Sequence, residues 1–587
     1  MISNRQYGPT LELSNEIDEM KYRQTGEDFG AKCTRIAHAL ADNDQHFDAM
    51  RDILREMKFL PAGRVQNAMG AARQTTAYNC FVSQQINDDM ESIMSAATSA
   101  AQTMRKGGGI GYDFSHIRPR GDLIKSLDSK ASGPVSFMGI FDAICQTISS
   151  SGARRGAQMG VLRIDHPDIM EFINAKHNSD KLTGFNISVG VTDKFMECLD
   201  EKKPFDLKFE GKVYDSVDPV GLWDAIMRGT WDWAEPGVLF IDTINAENNL
   251  YYCEEIAATN PCGEQPLPPY GACLLGSFNL TQYVGMLDGC GQFNWIEFEE
   301  DITHVVRAMD NVIDRTIYPL PHQEDEAKNK RRMGLGITGL ANAGSMMNLE
   351  YGTASFLLFT RQVLEILRNA AYSTSADLAE EKGSFPMYRS KDYLKSSFIK
   401  ELPEWLQEKI RAFGIRNSHL TSIAPTGTIS LVADNISSGI EPPFSNEYTR
   451  TLTTFEGTRT ELVQDYAYAR GFKGKTANEI TAEKHLEVLC VASQFVDSAV
   501  SKTCNVGDSV TYEQFKDLYL DAWRNGCKGI TTFRASGKRY GILNEVPMVK
   551  TDEEEEKEEK EEEEIATGGG GGEACYIDPL TGQKSCE

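Results

Sequence analysis

The sequence contains no run of eighteen apolar residues, and Met1 through Glu12 lack the basic-then-apolar pattern of a secretory leader. A membrane span and an export route are therefore not expected; a soluble, cytoplasmic protein is. Basic charge is also scarce, with 60 Lys and Arg against 86 Asp and Glu and a formal net charge of -26. A surface of that sign repels a phosphate backbone, so polymeric DNA or RNA is not an expected partner. No internal repeat of solenoid period is present. Cysteine, by contrast, is plentiful: thirteen residues, an odd number, scattered from Cys33 to Cys586. Such a set does not make a secreted disulfide framework and favours a reducing compartment, where a disulfide is transient chemistry.

The 587 residues, 41% of them hydrophobic, suffice for one large α/β domain with appendages or for two or three ordinary domains. Residues 1–60 read as helical, because Phe29 to Leu40 and Phe47 to Met57 carry apolar positions at three- and four-residue spacing. Phe59 through Gly63 marks a break. From residue 61 to 545, helical stretches such as Phe356 to Leu378 alternate with short apolar runs such as Val238 to Ile241 and Leu420 to Ile423. That rhythm predicts an α/β unit. Residues 546–572 read as a flexible linker, acidic from Thr551 to Glu564 and glycine-rich from Gly568 to Gly572. Self-repelling charge and a glycine hinge give reach to the tail, residues 573–587, which carries Cys575 and Cys586.

Chemistry concentrates in Asn260-Pro261-Cys262-Gly263-Glu264, followed by Gly271-Ala272-Cys273. In an extended segment, alternate side chains share a face, so an amide, a thiol and a carboxylate converge on one ligand. The glycine and prolines argue for a loop, and a finger-like loop inside a barrel satisfies both statements.

This motif resembles the active-site finger loop of ribonucleotide reductases, in the form usual for the adenosylcobalamin-dependent class. The resemblance spans roughly residues 60 to 545 and implies a ten-stranded α/β barrel around a central finger loop. It implies that Cys262 becomes a thiyl radical and takes the 3'-hydrogen of the ribose. Glu264 would be general base on the 3'-hydroxyl, and Asn260 would hold the substrate hydroxyls. Cys80, in Tyr78-Asn79-Cys80-Phe81-Val82, and Cys273 match the thiol pair that reduces the 2'-carbon. Cys575 and Cys586 match the mobile dithiol that regenerates that pair by exchange, with a thioredoxin- or glutaredoxin-like protein as final reductant. Their spacing is wider than the family's, and Asp578 to Gly582 between them reads as a turn that would close a small hairpin.

Pro425-Thr426-Gly427-Thr428-Ile429-Ser430 resembles the substrate-phosphate loop, where amides at a helix start meet an anion. Ser437 to Phe444 and Arg331 to Gly336 also match family segments and read as structural. Gly107 to Gly111 with Ser115 to Gly121 resembles the first specificity loop, and Lys181 to Ser188 the loop joining effector to substrate. Asp88 and Arg118 are the implied contacts of a deoxynucleoside triphosphate or ATP effector at the interface of an expected homodimer. No metal-ligand set is assigned.

Reductases that rely on a separate radical-generating subunit carry an adjacent tyrosine pair on a late strand. Here Thr531 and Thr532 stand in that stretch, which favours adenosylcobalamin. The first sixty residues are short for an ATP cone, so specificity control without on/off control is expected. Two alternatives stay open: a reductase large subunit that needs a metal-containing partner, and a nucleotide-binding regulator that has lost the chemistry.

Overall fold

The computed structural model describes residues 7–150, 154, 155, 157–177, 181–287, 289–454, 457–534, 537, 544, 545, 575–577 and 584–586. Its N-terminal helices are Glu12–Tyr22, Phe29–Leu40 and Asp44–Arg55. The second and third start on side-chain caps, Asp28 accepting from the Ala31 N–H and Asn43 from the His46 N–H. Such caps satisfy donors that have no partner inside the helix. Cys33, Ile36, Leu40, Met50 and Ile53 place the apolar faces of these two helices in the main core.

Ten strands form one sheet: β1 (Phe59–Pro61), β2 (Cys80–Val82), β3 (Gly109–Asp113), β4 (Gln158–Arg163), β5 (Phe185–Val191), β6 (Gly237–Phe240), β7 (Ala272–Asn279), β8 (Met333–Thr338), β9 (Thr503–Asn505) and β10 (Gly529–Phe533). The order is β1-β7-β2-β3-β4-β5-β6-β10-β9, with β8 also paired to β7. Neighbours from β2 to β6 are parallel, as are β7 with β8 and β9 with β10. The antiparallel joints are β1 with β7, β7 with β2, and β6 with β10.

The ladder then returns on itself. Leu335 of β8 bridges Thr421, and Ile423 bridges Val500, whose chain runs on into β9. The Ile423 N–H donates to Ala499 O at 3.1 Å and the Ser501 N–H to Ile423 O at 2.8 Å. The sheet is thus a closed barrel. Residues 420–423, expected as a strand, contribute only these single bridges. The closing stretch is braced by the buried Lys528, whose ammonium donates to the carbonyls of Asp497 at 2.7 Å and Ser498 at 2.6 Å.

Alternation along the strands separates two apolar layers. Cys80, Val82, Met159, Val161, Leu239, Cys273 and Leu275 share one cluster. Their strand neighbours Phe81, Leu162, Val238, Phe240 and Leu274 join the larger core formed with the surrounding helices. The long helix Ala354–Lys382, anticipated from Phe356 to Leu378, belongs to that outer layer. Among the described residues no helix is long and apolar enough to cross a membrane.

The glycine run expected in a specificity loop instead enters the wall, since Gly109 and Gly111 lie in β3. Ile110 and Tyr112 join the outer core, which leaves the two glycines on the inner face. The acidic run, the glycine hinge and the turn Asp578 to Gly582 lie outside the described residues. On either side of that turn, Cys575–Ile577 and Lys584–Cys586 pair antiparallel with Cys575 opposite Cys586.

Candidate active site

The finger loop rises from a two-residue ladder in which Ala258 pairs with Leu267 and Thr259 with Pro266. Its tip is tight: the Asn260 N–H donates to Gln265 O at 3.1 Å and the Gly263 N–H to Asn260 O at 3.1 Å. Gly263 has φ +82, a left-handed backbone that a side chain would strain. The inner face of the wall makes room for this loop. A Cβ at Gly111 would stand 1.8 Å from Thr259 O, and one at Gly109 would stand 3.1 Å from Pro261 Cγ.

Three contacts fix the tip within the barrel. Asn186 of β5 donates to Pro261 O at 2.9 Å. The Glu264 carbonyl accepts from Ser422 Oγ at 3.0 Å and from the Ala499 N–H at 3.0 Å. The loop is therefore tied to the stretches that close the barrel.

The expected reactive groups meet here. Cys80 and Cys273 are directly opposed in the β2–β7 register. Asn260 Nδ2 donates to Cys80 Sγ at 3.1 Å, and Cys80 Sγ lies 3.7 Å from Glu264 Oε1. Asn260 and Glu264 are each 2% exposed, whereas Cys262 at the tip is exposed. Among the described residues Glu264 Oε2 is buried without a hydrogen-bond partner.

Burial dominates the electrostatics. It raises the Glu264 carboxyl above its ordinary value, against hydrogen bonds from Asn260 and Cys80 that work the other way. It holds the Cys80 thiol well above its ordinary value, and the neighbouring Glu264 charge adds to the effect. Cys273 is likewise raised by burial, with the Arg332 charge opposing. At neutral pH both thiols keep their protons.

Arg332 belongs to an ionic cluster that sequence reading left as structural. It pairs with Glu254 and, at 2.6 Å, with Glu326, while Lys330 reaches Glu254 at 2.8 Å and Glu326 at 3.0 Å. Burial opposes ionisation of Glu254, yet the Arg332 and Lys330 charges hold its carboxyl at about 2. Removing one member of such a buried cluster costs about 3–5 kcal/mol. A consecutive Arg-Arg pair gave no sign of the distant Glu254.

The loop Pro425 to Ser430 leads into the short helix Gly427–Val432. Thr426 Oγ1 lies 2.9 Å from Thr338 Oγ1 and 3.0 Å from Ser430 Oγ, and it accepts the Gly439 N–H at 2.7 Å. These contacts lock the turn, and the Ser430 N–H donates to Thr426 O at 2.9 Å. A Cβ on Gly427 would meet nothing within 4 Å. The N-terminal segment supports this helix: Ser14 Oγ donates to Leu431 O at 2.6 Å, and the Thr10 N–H and hydroxyl donate to Asp434 at 2.8 and 2.7 Å. Nothing in the sequence pattern joined those two regions.

Asp88 and Arg118 bond to each other. Arg118 Nε donates to Asp88 Oδ2 at 2.5 Å and the Arg118 N–H to Asp88 Oδ1 at 3.0 Å. Thr531 is exposed on β10, and its neighbour Thr532 is buried with its hydroxyl 2.9 Å from Tyr519 OH.

Residues 78–533 match the barrel domain of ribonucleotide reductases. A vitamin B12-dependent ribonucleoside-diphosphate reductase of Mycobacterium tuberculosis (strain CDC 1551 / Oshkosh) is 34% identical over 556 residues, covering 89% of this chain and 77% of that protein. The protein of the same description from Thermoplasma acidophilum is 34% identical over 530 residues, covering 85% of this chain and 66% of its own. A ribonucleoside-diphosphate reductase large subunit of variola virus is 26% identical over 449 residues, covering 69% of this chain and 57% of that protein. The matched span contains the finger loop, both opposed cysteines and the Pro425 to Ser430 loop. The chain belongs to the ribonucleotide reductase family.

Proposed function

We propose that this chain is an enzyme that reduces ribonucleotides to 2'-deoxyribonucleotides by a thiyl-radical mechanism, with adenosylcobalamin as radical source. The observation that carries this reading is the register of Cys80 against Cys273 beside Asn260 and Glu264, with one exposed thiol, Cys262, at the tip of the same loop. Nucleotide binding alone needs none of these thiols.

Cys262, as a thiyl radical, takes the 3'-hydrogen of the ribose and returns it at the end of the cycle. Glu264 accepts the proton of the 3'-hydroxyl, its unpartnered Oε2 being the free acceptor. Asn260 orients the substrate hydroxyls. The 2'-hydroxyl leaves as water, and Cys80 and Cys273 supply the two electrons and two hydrogens that balance the step, ending as a disulfide. Thiols held in the protonated form by burial suit that delivery. The amides of Gly427, Thr428 and Ile429, with the hydroxyls of Thr426 and Ser430 bracing the turn from Pro425, hold the substrate phosphate.

Adenosylcobalamin, when bound, supplies the one-electron chemistry that makes a thiyl radical of a thiol. Cys262 fits such a source, because it is exposed while its reacting neighbours are buried. Thr531 and Thr532 on β10 offer no aromatic ring for a radical relay from another subunit. The names of the relatives from Mycobacterium and Thermoplasma support the same assignment.

Residues 61–545 act as the catalytic barrel, 546–572 as tether and 573–587 as redox tail. Opposed residues of an antiparallel pair stand about 4.5–5.5 Å apart at Cα, within disulfide reach, which suits Cys575 and Cys586 as the exchanging dithiol. A thioredoxin- or glutaredoxin-like protein reduces that tail, which places the enzyme in the cytoplasm. Asp88 and Arg118 contact a deoxynucleoside triphosphate or ATP effector in a homodimer, biasing the base accepted at the active site.

Replacing Cys262→Ser tests the radical assignment. Turnover is expected to vanish while effector binding, measured by calorimetry, stays intact. Residual deoxyribonucleotide formation by this variant overturns the mechanism.

A further inference from the structure

Two cysteines remote from the finger loop in sequence lie in direct contact. Cys490 sits in the helix Ala482–Ser493 and Cys527 at the approach to β10, with their Sγ atoms 3.6 Å apart. Cys527 is fully buried and Cys490 half-buried, both in the outer apolar layer rather than on the inner wall with Cys80 and Cys273. The reduction described above uses neither. A disulfide needs the sulfurs at about 2.05 Å, so an approach of about 1.5 Å from the present separation joins them.

We propose that Cys490 and Cys527 form a second dithiol–disulfide couple of this chain, oxidised by hydroperoxides, with Cys490 as the attacking thiol and Cys527 as the resolving one. In the first step Cys490 sulfur takes the distal peroxide oxygen, the O–O bond breaks, and an alcohol or water leaves with the proton, giving a sulfenic acid. In the second, Cys527 sulfur attacks that sulfur, the S–O bond breaks, and water departs with the Cys527 proton. The two cysteines lose two electrons in total, and the peroxide gains them.

The division of roles follows from position. Only Cys490 has a solvent-facing side, and exposure decides which thiol meets a peroxide. The hydrogen bond from Cys527 favours the Cys490 thiolate and lowers its pKa, outweighing burial and the nearby Asp521 and Glu487 charges. The same hydrogen bond raises Cys527, which keeps its proton until it resolves.

The test uses the full chain, treated with excess hydrogen peroxide, denatured, alkylated and digested without reductant. Mass spectrometry is expected to find the Cys490 and Cys527 peptides linked, two hydrogens lighter than their sum, and separated again by dithiothreitol. In Cys527→Ser the oxidation stops at Cys490, where dimedone captures the sulfenic acid; in Cys490→Ser, Cys527 remains a free thiol. Recovery of both cysteines alkylated after peroxide treatment overturns the proposal. So does linkage of Cys490 to another cysteine, or failure of dimedone to mark Cys490 in Cys527→Ser.

Discussion

Cys80 and Cys273 oppose one another, residue for residue, across the antiparallel joint of β2 and β7. Opposed Cα atoms in such a pair lie about 4.5–5.5 Å apart, inside the range of about 4.4–6.8 Å that a disulfide spans. Both thiols are buried and raised well above their ordinary pKa by that burial. On the proposed mechanism this pair is a two-electron, two-proton reductant in the barrel wall beside Glu264.

A chain reduced with dithiol, freed of it, and given substrate and radical source has only its own thiols to spend. It is expected to form about two products per chain, one from the wall pair and one after exchange with the tail. Cys575→Ser/Cys586→Ser should give about one, and Cys273→Ser none. Equal yields from the full chain and the tail variant contradict the tail assignment; product from Cys273→Ser contradicts the wall pair.

On the proposed mechanism Glu264 sets the acid limb of the rate profile. It works as a base only when ionised, and burial raises its pKa above 4.5, so turnover should fall with decreasing pH through that raised value. Stability has the opposite preference. The folded-state pKa exceeds the unfolded one, so the contribution is full below the unfolded value and is lost as pH rises through the folded one. Glu264→Gln should lower kcat by about 10²- to 10⁴-fold and raise Tm at neutral pH. A lowered Tm, or a kcat close to that of the parent, contradicts this account.

Gly111→Ala tests the support of the finger loop. The new Cβ falls 1.8 Å from the Thr259 carbonyl, a backbone atom that has to move. Overpacking of this kind costs about 1–3 kcal/mol, and turnover should drop with it. Gly139→Ala, in the helix Pro134–Thr147 with nothing within 4 Å of the added carbon, is the control and should leave both unchanged or raise stability slightly. Unimpaired turnover in Gly111→Ala would show that the stem does not need this close approach.

Features written in contiguous residues were legible in the sequence. The helix Phe29–Leu40 follows from its apolar spacing, and Asn260, Cys262 and Glu264 lie within five residues of one another. Contacts made across the fold were not. The register that sets Cys80 against Cys273 depends on strand order, and no local pattern encodes it. The run Gly107 to Gly111 resembles a specificity loop in sequence; its Gly109 and Gly111, on an inward strand face, are the residues that let another backbone pass. Lys528, which braces the closing stretch, and the contact between Cys490 and Cys527 are tertiary facts with no signal of their own.

The most direct test of the central claim is product formation by the purified chain alone, given ribonucleotide, a dithiol and effector, with and without adenosylcobalamin. The account predicts deoxyribonucleotide only in the tube containing the cofactor. No product with the cofactor, and product restored by a metal-containing partner subunit, would contradict it.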